Sequence, residues 1–596
     1  MKIRFITTLV ISALAILGCA CSGDVEPPAY SREKLGYEEM MALDSSDTAP
    51  ILNEHFMPAE NAAKALHEFS GALKIPELAM HTEPSPIEPE IVNGRITRLF
   101  PGVTIEFFSD RGYLVPVVRD LLEPDNSRNF WMIQFEPGRV WSEPGDQGFS
   151  RASFPFMLTG DVEGDAYNGI ATFIYDQDSV SQLRYQVVQQ SSPYFIQDFF
   201  VAWGHVPVQY SPGAIDGRER LTMEFRQELS DRIPWRDWSE LEASHDPAWF
   251  SDFDSSIEPA RVTTSGLIID GVVYARPSRT PFGDYPYPQE MRHGVWSVTK
   301  SMLGMVAMLR MAQKYGDEVF DLKIKDYLDV SASHDGWDEV TFGDALDMAT
   351  GIGGGSSKVD PNNILDGYIT GDEESYNAWY LAPGRDNMLA EVFKMPNYPW
   401  GPGEHARYCD RNTFTLSAAL DSLLKSREGE SAHLWQMMTE EVYRPIGIHH
   451  MSSKFTTEAD GSQGIPFLGW ALFMTVDDIA KISLLLQNGG RHKGEQILSL
   501  TKLAEALYQT DQRGLPIGAS NEYGDHSYHM SIWHTPYTSG SGLETSVPEM
   551  HGWGGMLVCL MPNGLTGYRI GNGGTRSLEM IRAADRIRPF VPRSPE

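Results

Sequence analysis

Cysteine is scarce, with four in 596 residues. That excludes a disulfide scaffold and a multi-cysteine metal site, both of which need several thiols at short spacing. Only Cys409 and Cys559 lie in the body of the chain. Whether they pair stays open, because sequence cannot place their Cα atoms within bridging distance. Basic residues are also few: 48 Lys and Arg stand against 81 Asp and Glu, a formal charge of -33. Phosphate attraction needs clustered cations, so neither nucleic acid nor an anionic membrane met through a basic face is an expected partner. The apolar run over residues 5–17 is too short to span a bilayer. No internal repeat and no long low-complexity tract is present.

What is there describes a folded protein. The composition is 41% hydrophobic, 22% charged and 11% aromatic, and single cores stop growing at roughly 250 to 300 residues, so at least two domains are expected. Lys2 and Arg4 precede the apolar run, as in an export signal. Ile16-Leu17-Gly18-Cys19 then resembles the bacterial lipobox, which implies that Cys19 is lipidated and becomes the mature N-terminus; an ordinary cleaved signal, with Cys19 and Cys21 incidental, is the alternative. The expected location is the cell envelope, with membrane contact through the lipid alone. Ala20 in place of an acidic residue favours the outer membrane.

The chain divides into a signal at 1–19, a largely flexible tether at 20–85 with one amphipathic piece around 59–73, a β-rich accessory domain at 86–245, and a second domain at 250–596. Short alternating runs at 102–108, 130–135, 169–175 and 182–188, separated by turn residues, predict strands. Residues 218–253 read as a connection. Two apolar runs then flank Asp270-Gly271, the strongest short hairpin signal.

A serine hydroxyl becomes a useful nucleophile when a base lies within hydrogen-bond reach. Ser followed by Lys three positions on puts both on one helix face. The chain holds this pattern at Ser31 and Lys34, Ser297 and Lys300, Ser422 and Lys425, and Ser499 and Lys502. Context separates them, since a lysine acting as base needs desolvation. Ser31 lies in the tether; Ser422 and Lys425 sit near a solvated helix end; Ser499 reads as an N-cap. Ser297 and Lys300 instead open an apolar run, 298–309, that reads as a buried helix.

Here a resemblance enters. Val295-Trp296-Ser297-Val298-Thr299-Lys300 looks like the nucleophile motif of the class C β-lactamase and penicillin-binding-protein superfamily, particularly its esterase and 6-aminohexanoate-oligomer hydrolase branch. Residues 346–352, Trp400-Gly401-Pro402-Gly403-Glu404, Tyr408-Cys409-Asp410, 443–448, 475–480 with Asn488-Gly489-Gly490, and His551-Gly552-Trp553-Gly554-Gly555 before the strand 556–560 are similar to that superfamily's later segments, in order. The resemblance implies a β-lactamase-like α/β domain: an antiparallel sheet flanked by helices, with a helical subdomain.

It also implies roles. Ser297 would be acylated, Lys300 would be its base, and Tyr408 would pass protons. The backbone N–H groups of Ser297 and of Trp553 or Gly554 would hold the oxyanion; the register stays open, because either His551 or Met550 fits the slot before Gly552. Two departures stand out: Asp410 replaces Asn, and His551 replaces the Lys that binds a substrate carboxylate. A carboxylate at Asp410 favours the charged form of Lys300, which opposes its work as a base. Trp379, Tyr380, Tyr398 and Trp400 either line an acyl pocket or pack. The expected activity is a carboxylesterase or small-amide hydrolase acting on a small ester, amide or peptide, with no cofactor and no metal. The alternatives are a D-amino-acid peptidase or β-lactamase, or a sensor that recognises penicillin without turnover. The oligomeric state is not legible.

Overall fold

The computed structural model describes residues 32–42, 49–160, 163–192, 194, 199–353, 360–366 and 373–591. The export signal, Cys19 and Ser31 lie outside the described residues.

The N-terminal half forms an eleven-stranded sheet. In spatial order its strands are Gln209–Pro212, Ser70–Ile75, Val103–Asp110, Tyr113–Pro116, Gly138–Trp141, Ser150–Gly160, Tyr167–Tyr175, Leu183–Gln190, Val201–Val206 and His81–Glu83; Trp131–Phe135 pairs with Ser150–Gly160 beside that path. Every pairing is antiparallel. Alternation in Val103–Asp110 turns Val103, Ile105 and Phe107 inward and Thr104 and Glu106 to solvent, the period-2 signature of a half-buried strand. The strands Ser150–Gly160, Tyr167–Tyr175 and Leu183–Gln190 are buried along their whole length. One face meets Phe154, Phe156, Phe173 and Tyr185 in the sheet's own core; the other is covered by Leu35, Met40, Ile51, Phe56, Phe282, Tyr285 and Met291.

The tether expected over 20–85 is therefore corrected for its described part. Gln186 clamps Ile51, accepting from its N–H at 3.1 Å and donating to its carbonyl at 2.9 Å. No helix forms over 59–73: Ala63 bridges the backbone of Ser142, and Ser70–Ile75 pairs with a strand on each side. Leu73 and Ile75 alternate with the half-buried Ala72 and the exposed Lys74, and at Gly71 a Cβ would stand 2.3 Å from the Ser211 carbonyl, so glycine lets the strands approach. The sheet thus begins at Ser70 rather than 86. The connection at 218–253 holds the helix Arg218–Asp231, whose Phe225 packs on Phe108 and Val115.

The second sheet has nine strands, in the order Trp235–Asp237, Val272–Ala275, Val262–Ile269, Thr566–Gly571, Met556–Leu560, Glu544–Gly552, Ile532–Thr538, Gly524–His529 and Leu515–Asn521. It therefore starts before residue 250. Only the first pair is parallel. The hairpin at Asp270-Gly271 forms as read: φ is 50° and 76° at the two residues, the positive pair a type I′ turn requires. The helix Leu578–Ile587 packs Met580, Ile581 and Ala584 on one face of this sheet. The helices Val306–Tyr315, Asp410–Glu428 and Val476–Gln487 pack together in the main hydrophobic core, which also includes Val558 and Ile570 from the sheet. An N-terminal β-rich domain is thus followed by an α/β domain with an antiparallel sheet and flanking helices. Cys409 and Cys559 are free thiols.

Buried ion pairs join the two halves of the chain. Glu136, just after the strand Trp131–Phe135, accepts from Arg119 at 2.5 Å and from Arg292, just before Ser297 and the helix that follows it, at 2.5 Å. Arg292 also donates to the carbonyls of Phe473 at 2.9 Å and His450 at 3.0 Å. Burial alone would raise the Glu136 pKa, but the two guanidiniums outweigh it and hold the carboxyl below its ordinary range. Arg119 also pairs with Glu228, and Arg292 lies 3.5 Å from Asp478, so the set is a network; breaking a buried ion pair by removing one partner costs about 3–5 kcal/mol. Glu136→Ala is expected to lower the stability read from urea unfolding by that amount; a loss under about 1 kcal/mol would show that water replaces the carboxylate.

Candidate active site

The site is built where the chain enters the helix that follows Ser297. The short strand His293–Gly294 pairs with Phe473–Met474, and Trp296 takes φ of 49°, a left-handed conformation unfavourable for a bulky residue. Such strain concentrates at functional sites. The turn closes through Val298 N–H to Val295 O at 3.2 Å and Lys300 N–H to Ser297 O at 3.0 Å. The segment Lys300–Met305 is π-helical before regular helix resumes at Val306; wide turns of this kind recur at functional positions. Ser297 is half-buried, while Lys300 is only 1% exposed.

Lys300 Nζ donates to Ser297 Oγ at 2.9 Å, to Asp410 Oδ1 at 2.6 Å and to the Gly469 carbonyl at 2.8 Å. Three donors meet three acceptors, which satisfies an ammonium. The same arrangement suits the neutral amine: two N–H groups remain on Asp410 and Gly469, and the lone pair turns to the Ser297 hydroxyl. Tyr408 hydrogen-bonds Ser297, and its ring lies under Lys300 Nζ at 4.7 Å from the centroid. Burial, then the Asp410 charge, pushes the Tyr408 phenol pKa upward, partly offset by the bond to Ser297. The phenol holds its proton at neutral pH.

Asp410 is the first residue of the 19-residue helix Asp410–Glu428, where the dipole favours a carboxylate. Its second oxygen accepts from the Tyr376 hydroxyl at 3.1 Å. Asp410 thus contacts Lys300 through one oxygen and Tyr376 through the other.

The strand Glu544–Gly552 forms the opposite wall. His551 Nε2 lies 2.7 Å from Glu549 Oε2, and its ring stacks on Trp533, which stacks on Tyr408. The imidazole is thereby paired internally with a buried carboxylate. At Gly552 a Cβ would stand 2.3 Å from the Val295 carbonyl, two residues before Ser297. That close approach favours the register in which Gly552 is the motif glycine and Trp553 follows it. Gly554 and Gly555 take φ of 74° and 100° in the turn beyond.

The other Ser and Lys pairs go elsewhere. Ser499 caps its helix by accepting from Lys502 N–H at 3.3 Å, and Lys425 pairs with Asp421 at 2.8 Å. Among the four aromatics singled out, Trp379 packs against Phe414 and Trp470, and Tyr398 and Trp400 stack on each other at 4.6 Å. Tyr380 instead hydrogen-bonds Glu163. Sequence reasoning missed Gly469, Tyr376, Glu163, Ser192 and Tyr194. None lies in a motif, and the last three come from the N-terminal sheet region. Among the described residues no group of three or more His, Cys, Asp or Glu side chains gathers to hold a metal ion.

Residues 270–563 match the family model described as Beta-lactamase. No curated protein matches the chain. Solved structures with a similar fold include a provisionally described 6-aminohexanoate-dimer hydrolase from Bacillus anthracis, 18% identical, over 55% of this chain and 78% of that one, with a TM-score of 0.39. A penicillin-binding protein homolog from Caulobacter crescentus is 14% identical over 58% of this chain and 97% of its own, with a TM-score of 0.39. A D-stereospecific amidohydrolase from Streptomyces sp. is 13% identical over 57% and 98%, with a TM-score of 0.38.

Glu163 and Asp165 are buried near these groups, Glu163 at 3% exposure. Burial, then the Asp165 charge, raises the Glu163 pKa well above its ordinary value of 4.5; burial likewise raises Asp165 above 3.8. Between those ordinary values and the raised ones, the folded state keeps protons that the unfolded chain has released. Stability from this pair therefore falls as pH rises through that window. Glu163→Gln removes the penalty, so its melting temperature relative to wild type is expected to rise more at pH 8 than at pH 4. An equal shift at both values in differential scanning calorimetry would sink this reading.

Proposed function

We propose, on the premise that residues 270–563 form a domain of the Beta-lactamase family, that this serine hydrolase cleaves neutral short-chain esters or small amides through an acyl-enzyme on Ser297. The observation that carries it is the buried contact of Lys300 with Ser297, Asp410 and Gly469. Ser297 Oγ bonds to the substrate carbonyl carbon as its proton passes to the neutral Lys300 amine. The N–H groups of Ser297 and Trp553 receive the developing oxyanion. The bond to the leaving group then breaks, and the leaving group takes its proton through Tyr408. A water attacks the acyl-enzyme by the reverse proton path and frees the acid.

The substrate preference is supported by His551. In the resembling hydrolases the slot that His551 or Met550 fits holds a cation for a substrate carboxylate; here Glu549 lies 2.7 Å from the His551 imidazole, and Met550 carries no charge. A substrate carboxylate entering beside that pair would meet an existing negative charge, so uncharged esters and amides are favoured over penicillins and carboxylate-ended peptides.

Ser297→Ala is expected to lower kcat/KM for 4-nitrophenyl acetate by about a thousandfold or more and to abolish fluorophosphonate labelling, while Ser422→Ala and Ser499→Ala retain both. Tyr408→Phe is expected to lower kcat by about a hundredfold or more. An active Ser297→Ala protein overturns the mechanism. Faster hydrolysis of a penicillin or a D-Ala-D-Ala peptide than of any neutral ester replaces the substrate reading with a cell-wall one.

The export motif supports a location as well: the protein is held at the cell envelope, with the outer membrane favoured, by lipid on Cys19. Cys19→Ser is expected to release it from the membrane fraction or stop its processing. A wild-type protein recovered soluble, with a different first residue, removes the anchor.

A further inference from the structure

The first described residues after the strand Leu183–Gln190 reach into the second domain. Ser192 is 2% exposed, and its hydroxyl lies 3.2 Å from the Gly554 carbonyl and 3.0 Å from Asn572 Oδ1. A Cβ on Gly554 would fall 1.5 Å from that hydroxyl, so the turn after Gly552 is shaped around a side chain of the other sheet. Gly554 O also accepts from Gly573 N–H at 2.7 Å, which anchors the turn from its far side.

Two residues on, the Tyr194 ring stands 5.7 Å from that of Trp296 and 6.0 Å from that of Trp553. Trp296 precedes Ser297, and Trp553 follows Gly552. Tyr194 therefore spans the two segments that flank the reacting carbonyl. Trp553 is 45% exposed, an unusual state for so large an apolar side chain beside a reactive serine. Trp296 is buried, Tyr194 half-buried and Trp553 open to solvent, so the three rings form an apolar cluster whose outer edge, beside Ser297, can receive the organic part of a small substrate.

The same sheet braces the other flank of Ser297. At Gly294 a Cβ would stand 1.9 Å from the Gly164 carbonyl, and at Gly164 one would stand 2.4 Å from the Trp470 carbonyl, next to the Gly469 oxygen that holds Lys300. Residues 164–166 thus pack against Gly294 and Trp470, which lead to Ser297 and to the Gly469 carbonyl.

We propose that the N-terminal sheet completes the catalytic cleft: Tyr194 is a substrate-binding residue that makes an apolar wall with Trp296 and Trp553, and Ser192 is a positioning residue that fixes the turn carrying the oxyanion donor. This rests on Ser297 as the nucleophile. The favoured ligand is an ester whose acyl group is apolar and large enough to reach the three rings.

The test compares wild type, Ser297→Ala, Tyr194→Ala, Tyr194→Phe and Ser192→Ala on 4-nitrophenyl acetate and 4-nitrophenyl butyrate, with folding followed by circular dichroism. Tyr194→Ala raises KM for the butyrate about tenfold more than for the acetate, the scale of one lost apolar contact. Tyr194→Phe keeps the wall and stays near wild type. Ser192→Ala lowers kcat about tenfold or more on both esters with KM unchanged, since a displaced oxyanion donor weakens the transition state alone. If Ser192→Ala does not fold, Tyr194→Ala, on a half-buried side chain, decides the matter. Unchanged constants in folded Tyr194→Ala and Ser192→Ala, with Ser297→Ala inactive, overturn the proposal and leave the nucleophile standing. An active Ser297→Ala protein overturns the nucleophile instead.

Discussion

A lysine amine taken almost wholly out of water is the constraint on which the site depends. Burying such a group is unfavourable unless its hydrogen-bonding capacity is met. Lys300 meets it with one side-chain hydroxyl, one carboxylate and one backbone carbonyl, from three separate stretches of chain. The fold can be understood as the means of bringing them together. The core under the helix Val306–Tyr315 fixes Lys300; the helix starting at Asp410 fixes the carboxylate; the strand pair at Gly294 and Phe473 fixes both the entry to Ser297 and the loop that presents Gly469.

The N-terminal sheet shares in the same task. Its long strands are buried on both faces, which a freely tethered module would not need. At the junction Gly164 and Gly294 allow close backbone approach, Gly554 makes room for the Ser192 side chain, and the buried Arg119 and Arg292 are paired with Glu136, Glu228 and Asp478. Such a joint tolerates little relative motion. A hinged or modular accessory domain would instead present a smaller, wetter contact.

Much of the candidate site's geometry was legible because it is local. Ser297 and Lys300 share a helix turn, the apolar run after them announces burial, and Asp270-Gly271 is a hairpin in any context. The tether was misread for a physical reason. The apolar residues of 49–83 lie between prolines and charged residues, yet Ile51, Phe56, Phe69, Leu73 and Ile75 are buried, and partners far along the chain hold the segment: Ile51 by Gln186, and Asn53 by Thr280 at 2.8 Å. A polar residue there can mark a paired interior position rather than solvent. Similarly, Arg151, Asn168 and Gln186 interrupt the apolar pattern of their strands yet are buried and bonded. Ser192, Tyr194 and Glu163 carry no local signature at all. Their significance lies in contacts across some 100 to 360 positions of sequence, which only the fold supplies.

The carboxylate at Asp410 is the feature that sequence reasoning left in tension, since it favours the charged lysine and so opposes proton uptake from Ser297. The geometry divides that charge. One oxygen faces Lys300 at 2.6 Å and the other accepts from Tyr376 at 3.1 Å, at a helix N-terminus whose dipole already stabilises it. Less of the negative charge is then directed at the amine than an isolated carboxylate would direct. Under the proposed mechanism the buried ammonium formed when Ser297 gives up its proton has Asp410 beside it as a counter-charge, where an asparagine would offer only neutral dipoles, and Tyr376 shares that carboxylate.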